Sequence, residues 1–439
     1  MSARNQYLQS RHTNEIIWPE DRADPEAVRL LKNIGTLFIC PDDGGQEYVK
    51  PRRNAALLWK GDVILWAGSE GELPGNRDLP EPDESFDAEG RVVIPGLIDC
   101  HTHLAFGGWR PDEFELRSLG KSYEEIAAAG GGILSTVSAT RDTSEQDLIR
   151  KSAGLLEEMV RLGVTTIECK SGYGLTLEDE LKQLRVYRSL KNSFPIRMMS
   201  TFLGAHAIPP EYRDKRGKYV RLVTEEMIPA VTEAGLAEFC DVFVDAPAFT
   251  IEEGEVILEA GKKAGLIPKV HADQLTANGG AELAAKVGAV SADHLECVSD
   301  RGITSIREAG TVAVSLPLAT WYLRKEPLPA RKLMEAGVPV AVSTDFNPGS
   351  APSFHLPMAM HLACTLQYMS PAEVLKGATI YAARALGVNN VTGSVEPGKK
   401  ADFVELDTES VNHWLYHFRP DAAARVWSEG ACLVTRQRN

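Results

Sequence analysis

Between about Asp99 and Asp345 the chain repeats one pattern of apolar and polar positions. An amphipathic stretch of helical spacing leads into a glycine-containing turn, then a short β-branched run, then a polar residue where the run stops. The runs are VVIPGLIDCHTH, VTTIECKSG, IRMMSTFLGAH, AEFCDVFVDA, LIPKVHAD, GAVSADHL, TVAVSLP and VPVAVSTD, with helix candidates such as LIRKSAGLLEEMVRLG and EEGEVILEAGKKAG between them. Because the runs are apolar almost throughout instead of alternating, they predict strands buried on both faces, as a parallel sheet covered by helices requires. Eight such units predict an α/β fold of the (β/α)8 TIM-barrel class.

The flanks carry a different pattern. LFICPD, AALLWKGDVILWAG and SFDAEGRVVIPG before the barrel, and GSVEPGKKADFVELD and ARVWSEGACLV after it, predict short strands joined by turns. The economical arrangement is one small β-sandwich built from both chain ends. The expected division is a peripheral N-terminal arm over 1–35, small β-domain segments over 36–95 and 391–439, and the barrel over 96–390.

Length fits this division, since 439 residues accommodate a barrel of roughly 250 residues and a smaller companion. A net charge of -14 opposes general nucleic-acid binding, which needs a concentrated positive surface, yet leaves a small anionic substrate open. Seven scattered cysteines without CxxC spacing point to a reducing compartment. With no signal-peptide pattern and no apolar run of membrane-spanning length, the expectation is a cytoplasmic protein without a membrane partner.

In a barrel of this class the carboxyl ends of the strands form the active site. Those ends read His101/His103, Lys170, His206, Asp245, His271, His294, Pro317 and Asp345. Residues two apart on an extended strand face the same way, so His101 and His103 can reach one ion. Alone, such a pair carries little weight. His271 and Asp345 at later strand ends complete a set of three imidazoles and a carboxylate, which suits Zn2+ or iron with a position left for water. A bound ion of this kind brings its water toward hydroxide at neutral pH, which is hydrolytic chemistry.

The segments HTHLAFGGWRPDEFELR, SYEEIAAAGGGILSTVSATR, KSGYGL, GAH, HADQLT, GAVSADHLE, STDFNPGS and GSVEPGKKADF, in this order from about Val92 to Asp407, resemble the imidazolonepropionase family of amidohydrolases. The resemblance implies hydrolysis of 4-imidazolone-5-propanoate to N-formimidoyl-L-glutamate in histidine degradation. It also implies one Zn2+ or Fe3+ per subunit held by His101, His103, His271 and Asp345, and a homodimer. By the same resemblance Arg110 clamps the substrate propionate, Tyr173 and His206 contact the ring or propionate, and Asn347, Gly349 and Ser350 complete the pocket. A guanidinium fork matches a carboxylate bidentately, which makes the Arg110 assignment physically sensible.

Ring opening needs a nucleophile, a polarised carbonyl and a proton for the departing nitrogen. Asp345 is expected to take the proton of the attacking water, and His294 to orient or polarise the reacting group. Gln274 stands where some family members carry glutamate. An amide cannot act as a base, so its expected role is to orient the imidazolone, with Asp273 beside it as a compensating carboxylate. Lys170 is expected in an ion pair, not carbamylated between two metals. Tyr123 and Gly130–Gly131–Gly132 suggest a flap or a helix stop, and Trp109 either shapes the entrance or packs under a loop. Two other readings compete: a related mononuclear amidohydrolase acting on another cyclic amide or as a deaminase, and a non-catalytic barrel scaffold, which the intact ligand set disfavours.

Overall fold

A computed structural model describes residues 24–75, 78–121, 125, 131–245 and 248–436. The amino-terminal strands are β1 (Val28–Phe38), β2 (Pro51–Lys60), β3 (Val63–Ser69), β4 (Glu84–Asp87) and β5 (Val92–Pro95). The barrel strands follow: β6 (Leu97–Asp99), β7 (Val164–Lys170), β8 (Arg197–Ala205), β9 (Phe239–Val244), β10 (Ile267–Ala272), β11 (Ser291–His294), β12 (Val312–Ser315) and β13 (Val340–Val342). Three strands close the chain, β14 (Phe403–Leu406), β15 (Ala423–Ser428) and β16 (Ala431–Thr435).

Strands β6 to β13 lie side by side in sequence order, with parallel pairing throughout. The eight runs expected from the sequence all reappear as these strands, and β7, β11, β12 and β13 are buried at every position. Helices between them bury one stripe each. Glu145–Arg161 starts at the Ser144 cap and buries Leu148, Ser152, Leu156, Met159 and Val160. Ile251–Lys263 starts with a capping box between Thr250 and Glu253 and ends in Lys262 and Lys263, whose charge complements the helix dipole.

The seam between first and eighth strands is closed beyond the strands themselves. Asp99 accepts from the Thr344 N–H at 3.0 Å, the Thr344 hydroxyl at 2.7 Å and the Ser343 hydroxyl. Above it, the Asp345 N–H donates to the His101 carbonyl at 3.1 Å, and the His103 N–H to the Phe346 carbonyl at 2.8 Å. The backbone bonds that shut the barrel thus fix three of the residues expected to hold metal.

The two chain ends build one mixed sheet, in the order β16-β15-β14-β5-β1-β2-β3 with β4 beside β1. Its joint is β5 against β14, antiparallel, with Phe403 opposite Pro95 and Val404 opposite Ile94. Two expectations change. VVIPGLIDCHTH is not one strand: it breaks at Gly96, where a Cβ would strike the side chain of Thr165, so that 92–95 serves the small sheet and 97–99 the barrel. Strand β1 starts at Val28, inside the segment expected as an arm; its apolar alternation is interrupted by a bulge between Leu31 and Ile34, with Asn33 at φ 56°. Residues 1–23 of that arm lie outside the described residues.

Candidate active site

The expected ligands converge at the carboxyl rim of the barrel. His101 and His103 follow β6, His271 lies near the end of β10, and Asp345 follows β13. In each of three triads, His101–His103–Asp345, His101–His271–His294 and His103–His206–His271, one donor atom per residue lies within 4.8 Å of the others. His101 Nε2 and His103 Nε2 stand 3.4 and 3.5 Å from Asp345 Oδ1. His103 stacks on His206 with ring centroids 5.0 Å apart.

What lies behind the histidines determines which nitrogen faces inward. His101 Nδ1 shares a 2.6 Å hydrogen bond with Asp293 Oδ2, and His271 Nδ1 approaches Asp241 Oδ2 within 2.9 Å. The opposite atoms, His101 Nε2 and His271 Nε2, are buried without a hydrogen-bond partner. Buried polar atoms are rarely left so. Two imidazoles backed by carboxylates, with their opposite nitrogens unpaired among further imidazoles and the Asp345 carboxylate, fit a cation such as zinc or iron. Burial pushes the His271 pKa down to about 3, which keeps the ring in the neutral form that ligates metal.

Asp241 and Asp293 did not feature among the expected site residues; the lysine that joins them did. Lys170 Nζ reaches Glu168 at 2.7 Å, Asp241 at 2.8 Å and Asp293 at 3.5 Å, so one ammonium joins the two acids that support His271 and His101. Burial alone would raise the pKa of Asp241, but His271 and Lys170 outweigh it and hold the acid well below the usual carboxylate range. Lys170 therefore has the ion-pair role expected of it. The sequence signal for the acids was available: Asp241 interrupts the apolar run FCDVFV, and a charge inside a buried strand needs a partner.

The residues expected to meet substrate fall into two groups. Arg110 Nε donates to the Pro348 carbonyl at 3.4 Å, and its guanidinium fills the place a Cβ would take on Gly349. Gly349 is thus required for the arginine to lie against the loop that follows Asp345. Tyr173 is buried, with its ring 5.7 Å from that of His103 and 5.3 Å from that of His206. Its neighbour Gly172, at φ 107°, has His206 Nδ1 where a side chain would project. Burial, together with His103 and His271, holds the pKa of His206 well below the usual histidine value.

The second group works on the loops. Asn347 spends its amide inside the turn: Nδ2 donates to the Asp345 carbonyl at 2.6 Å and to Ser350 Oγ at 2.9 Å, while Oδ1 accepts from the N–H groups of Gly349 and Ser350, each at 2.8 Å. Ser350 Oγ lies 3.5 Å from Asp345 Oδ2. Gln274 is half-buried after β10. Asp273 does not compensate for it, because its carboxylate accepts the N–H groups of Asn278, Gly279, Gly280 and Ala281 and caps the next helix. Trp109 packs edge-on against Phe106, 4.8 Å between centroids, with Lys151 Nζ 4.7 Å from its ring centre. Gly132, at φ 81°, precedes the helix Ile133–Asp142 as its cap; Tyr123 and Gly130 lie outside the described residues.

Residues 92–432 match the amidohydrolase family. A protein named imidazolonepropionase from Shouchella clausii (strain KSM-K16) is 50% identical over 380 residues, 86% of this chain and 85% of that protein. The chain belongs to the imidazolonepropionase family. A second member, from Geobacillus sp. (strain WCH70), is 48% identical over 417 residues and covers 93% of this chain and 98% of its own. Beyond the family, a crystal structure of an adenosine deaminase from Xanthomonas campestris with bound zinc shares the fold, with TM-score 0.66, 19% identity and 93% coverage of both chains. In this imidazolonepropionase family member the histidine cluster that could hold a metal stands at the carboxyl rim of the barrel.

Proposed function

We propose that this chain hydrolyses the cyclic amide of 4-imidazolone-5-propanoate to N-formimidoyl-L-glutamate, with His101, His103, His271 and Asp345 holding one Zn2+ or Fe3+. The observation that carries the substrate reading is the packing of the Arg110 guanidinium against the loop that follows Asp345: a guanidinium at the rim of a histidine cluster suits a substrate with a carboxylate tail and a reactive ring. The zinc named in the adenosine deaminase structure supports zinc as one of the two candidates. When bound, the ion supplies Lewis acidity and a water near its neutral-pH ionisation point.

The protein's own groups divide the remaining work. Arg110 binds the propionate, and Tyr173, His206 and Gln274 orient the ring. Asn347, Gly349 and Ser350 shape the pocket wall, Asn347 by holding the turn that seats Arg110. Asp345 takes a proton from the attacking water, His294 orients or polarises the lactam carbonyl, and the ring C–N bond breaks as its nitrogen is protonated. Segment 96–390 carries this chemistry, braced by the small sheet. A homodimer in the cytoplasm is part of the same reading, supported by the family resemblance; no helix among the described residues is long and apolar enough to cross a membrane.

A comparison of 4-imidazolone-5-propanoate with the same ring lacking the propionate tests this assignment. Turnover of the full substrate with a KM at least about 30-fold lower than for the truncated ring is expected, the value of roughly 2 kcal/mol for a charge-assisted pair. Equal KM values would remove Arg110 from the substrate site, and turnover of an aminated heterocycle in place of either would move the chain to the deaminases.

A further inference from the structure

The loop after β11 holds a buried acid outside the ligand set. The Glu296 side chain is 4% exposed. Its Oε1 accepts from the Thr320 hydroxyl at 2.6 Å, on the helix Pro317–Leu323 that follows β12. Its Oε2 has no hydrogen-bond partner and lies 3.8 Å from His294 Nδ1, a buried nitrogen equally without one. Two unsatisfied atoms of complementary character therefore face each other, about half an ångström beyond hydrogen-bond reach.

The backbone is bent to bring them there. His294 and Leu295 are consecutive non-glycine residues in the left-handed region, at φ 82° and 64°. Such strain persists only where the surroundings enforce it. Here the enforcement is visible: the Leu295 N–H donates to the Ala272 carbonyl at 3.0 Å, and the Cys297 N–H to the Asp273 carbonyl at 2.8 Å. Both bonds pin the loop to the end of β10, next to His271. Thr320 holds Oε1, which leaves Oε2 as the oxygen facing the imidazole.

We propose that Glu296 is a positioning residue that accepts a hydrogen bond from His294 Nδ1 and so fixes the tautomer and ring orientation that present Nε2 to the reacting group. The inference rests on the catalytic role proposed above for His294. The logic is that of any buried carboxylate behind a working histidine: the acid does not touch substrate, but it decides which nitrogen carries the proton. Thr320 takes part by leaving one particular oxygen available.

The test uses the metal-loaded full chain, 15N-labelled at histidine, with the His294 signals assigned by their loss in His294→Asn. In the unaltered protein Nδ1 is expected to carry the proton. Glu296→Gln keeps the shape, and because Thr320 donates to the amide oxygen, the NH2 group is left facing Nδ1 and favours the opposite tautomer. That variant is expected to lose the Nδ1 proton signal and about 10- to 100-fold in kcat, with KM within about twofold and unchanged metal content. Thr320→Val is expected to move kcat in the same direction by a smaller factor, and it carries the test if Glu296→Gln does not fold. An unchanged His294 tautomer with unchanged kcat would overturn the proposal. Failure of the unaltered protein to turn over the imidazolone would fault the substrate reading instead, and the tautomer measurement would still decide the role of Glu296.

Discussion

The rim of the barrel and the interior of the small sheet are both buried, and they satisfy their polar atoms in opposite ways. In the sheet, Trp59, Phe86, Phe403 and Trp427 meet at centroid distances of 4.9 to 6.3 Å, and each indole N–H has a partner, Trp59 with the Gly430 carbonyl and Trp427 with Glu405. At the rim, His101 Nε2, His271 Nε2, His294 Nδ1 and Glu296 Oε2 have none, and His294 and Asp345 lie at positive φ. The first arrangement lowers the energy of the folded chain. The second leaves the His101 and His271 nitrogens open to the proposed metal, and His294 Nδ1 and Glu296 Oε2 to each other.

The contrast predicts which region each kind of damage reaches. Asp345→Asn is expected to reduce kcat by about three orders of magnitude, since one residue is proposed both as proton acceptor and as ligand, while denaturant unfolding of the metal-free protein stays close to the original. Trp427→Ala should do the reverse: a loss of about 4 kcal/mol in unfolding free energy from cavity formation, with kcat of the folded fraction preserved. A Trp427→Ala protein that is stable but inactive would break the division. Smaller, and between the two, Asp241→Asn or Asp293→Asn is expected to weaken metal binding by about 10- to 100-fold, measured by competition with a chromogenic chelator. Arg110→Lys, which keeps charge but loses the planar fork, should raise KM by about 10-fold and leave metal affinity unchanged.

Much of this division could be read from the sequence, and the exceptions share a cause. The eight barrel runs were visible because strands buried on both faces cannot hide their apolar character, and the clustered rim histidines because they stand where the runs turn polar. The start of strand β1, ahead of the expected LFICPD run, was missed because the bulge at Asn33 shifts its alternation, and the break at Gly96 because apolar residues continue on both sides of it. Asp293 and Glu296 flank His294 in the chain, yet their partners, His101 and Thr320, are 192 and 24 residues away. Asn347 was legible as a site residue but not as one whose amide is consumed by its own turn. Pattern shows which side chains are buried; only the closed barrel shows which of them are left unpaired.

The measurement that bears most directly on the central claim is turnover of 4-imidazolone-5-propanoate by purified, metal-analysed protein, followed through chelation and metal return. The account predicts formation of N-formimidoyl-L-glutamate, loss of activity as one equivalent of metal leaves, and recovery on adding back Zn2+ or Fe2+/Fe3+, with the fold retained throughout. Turnover that survives complete removal of metal would contradict it, because the unpaired histidine nitrogens at the barrel rim would then have no part in the reaction.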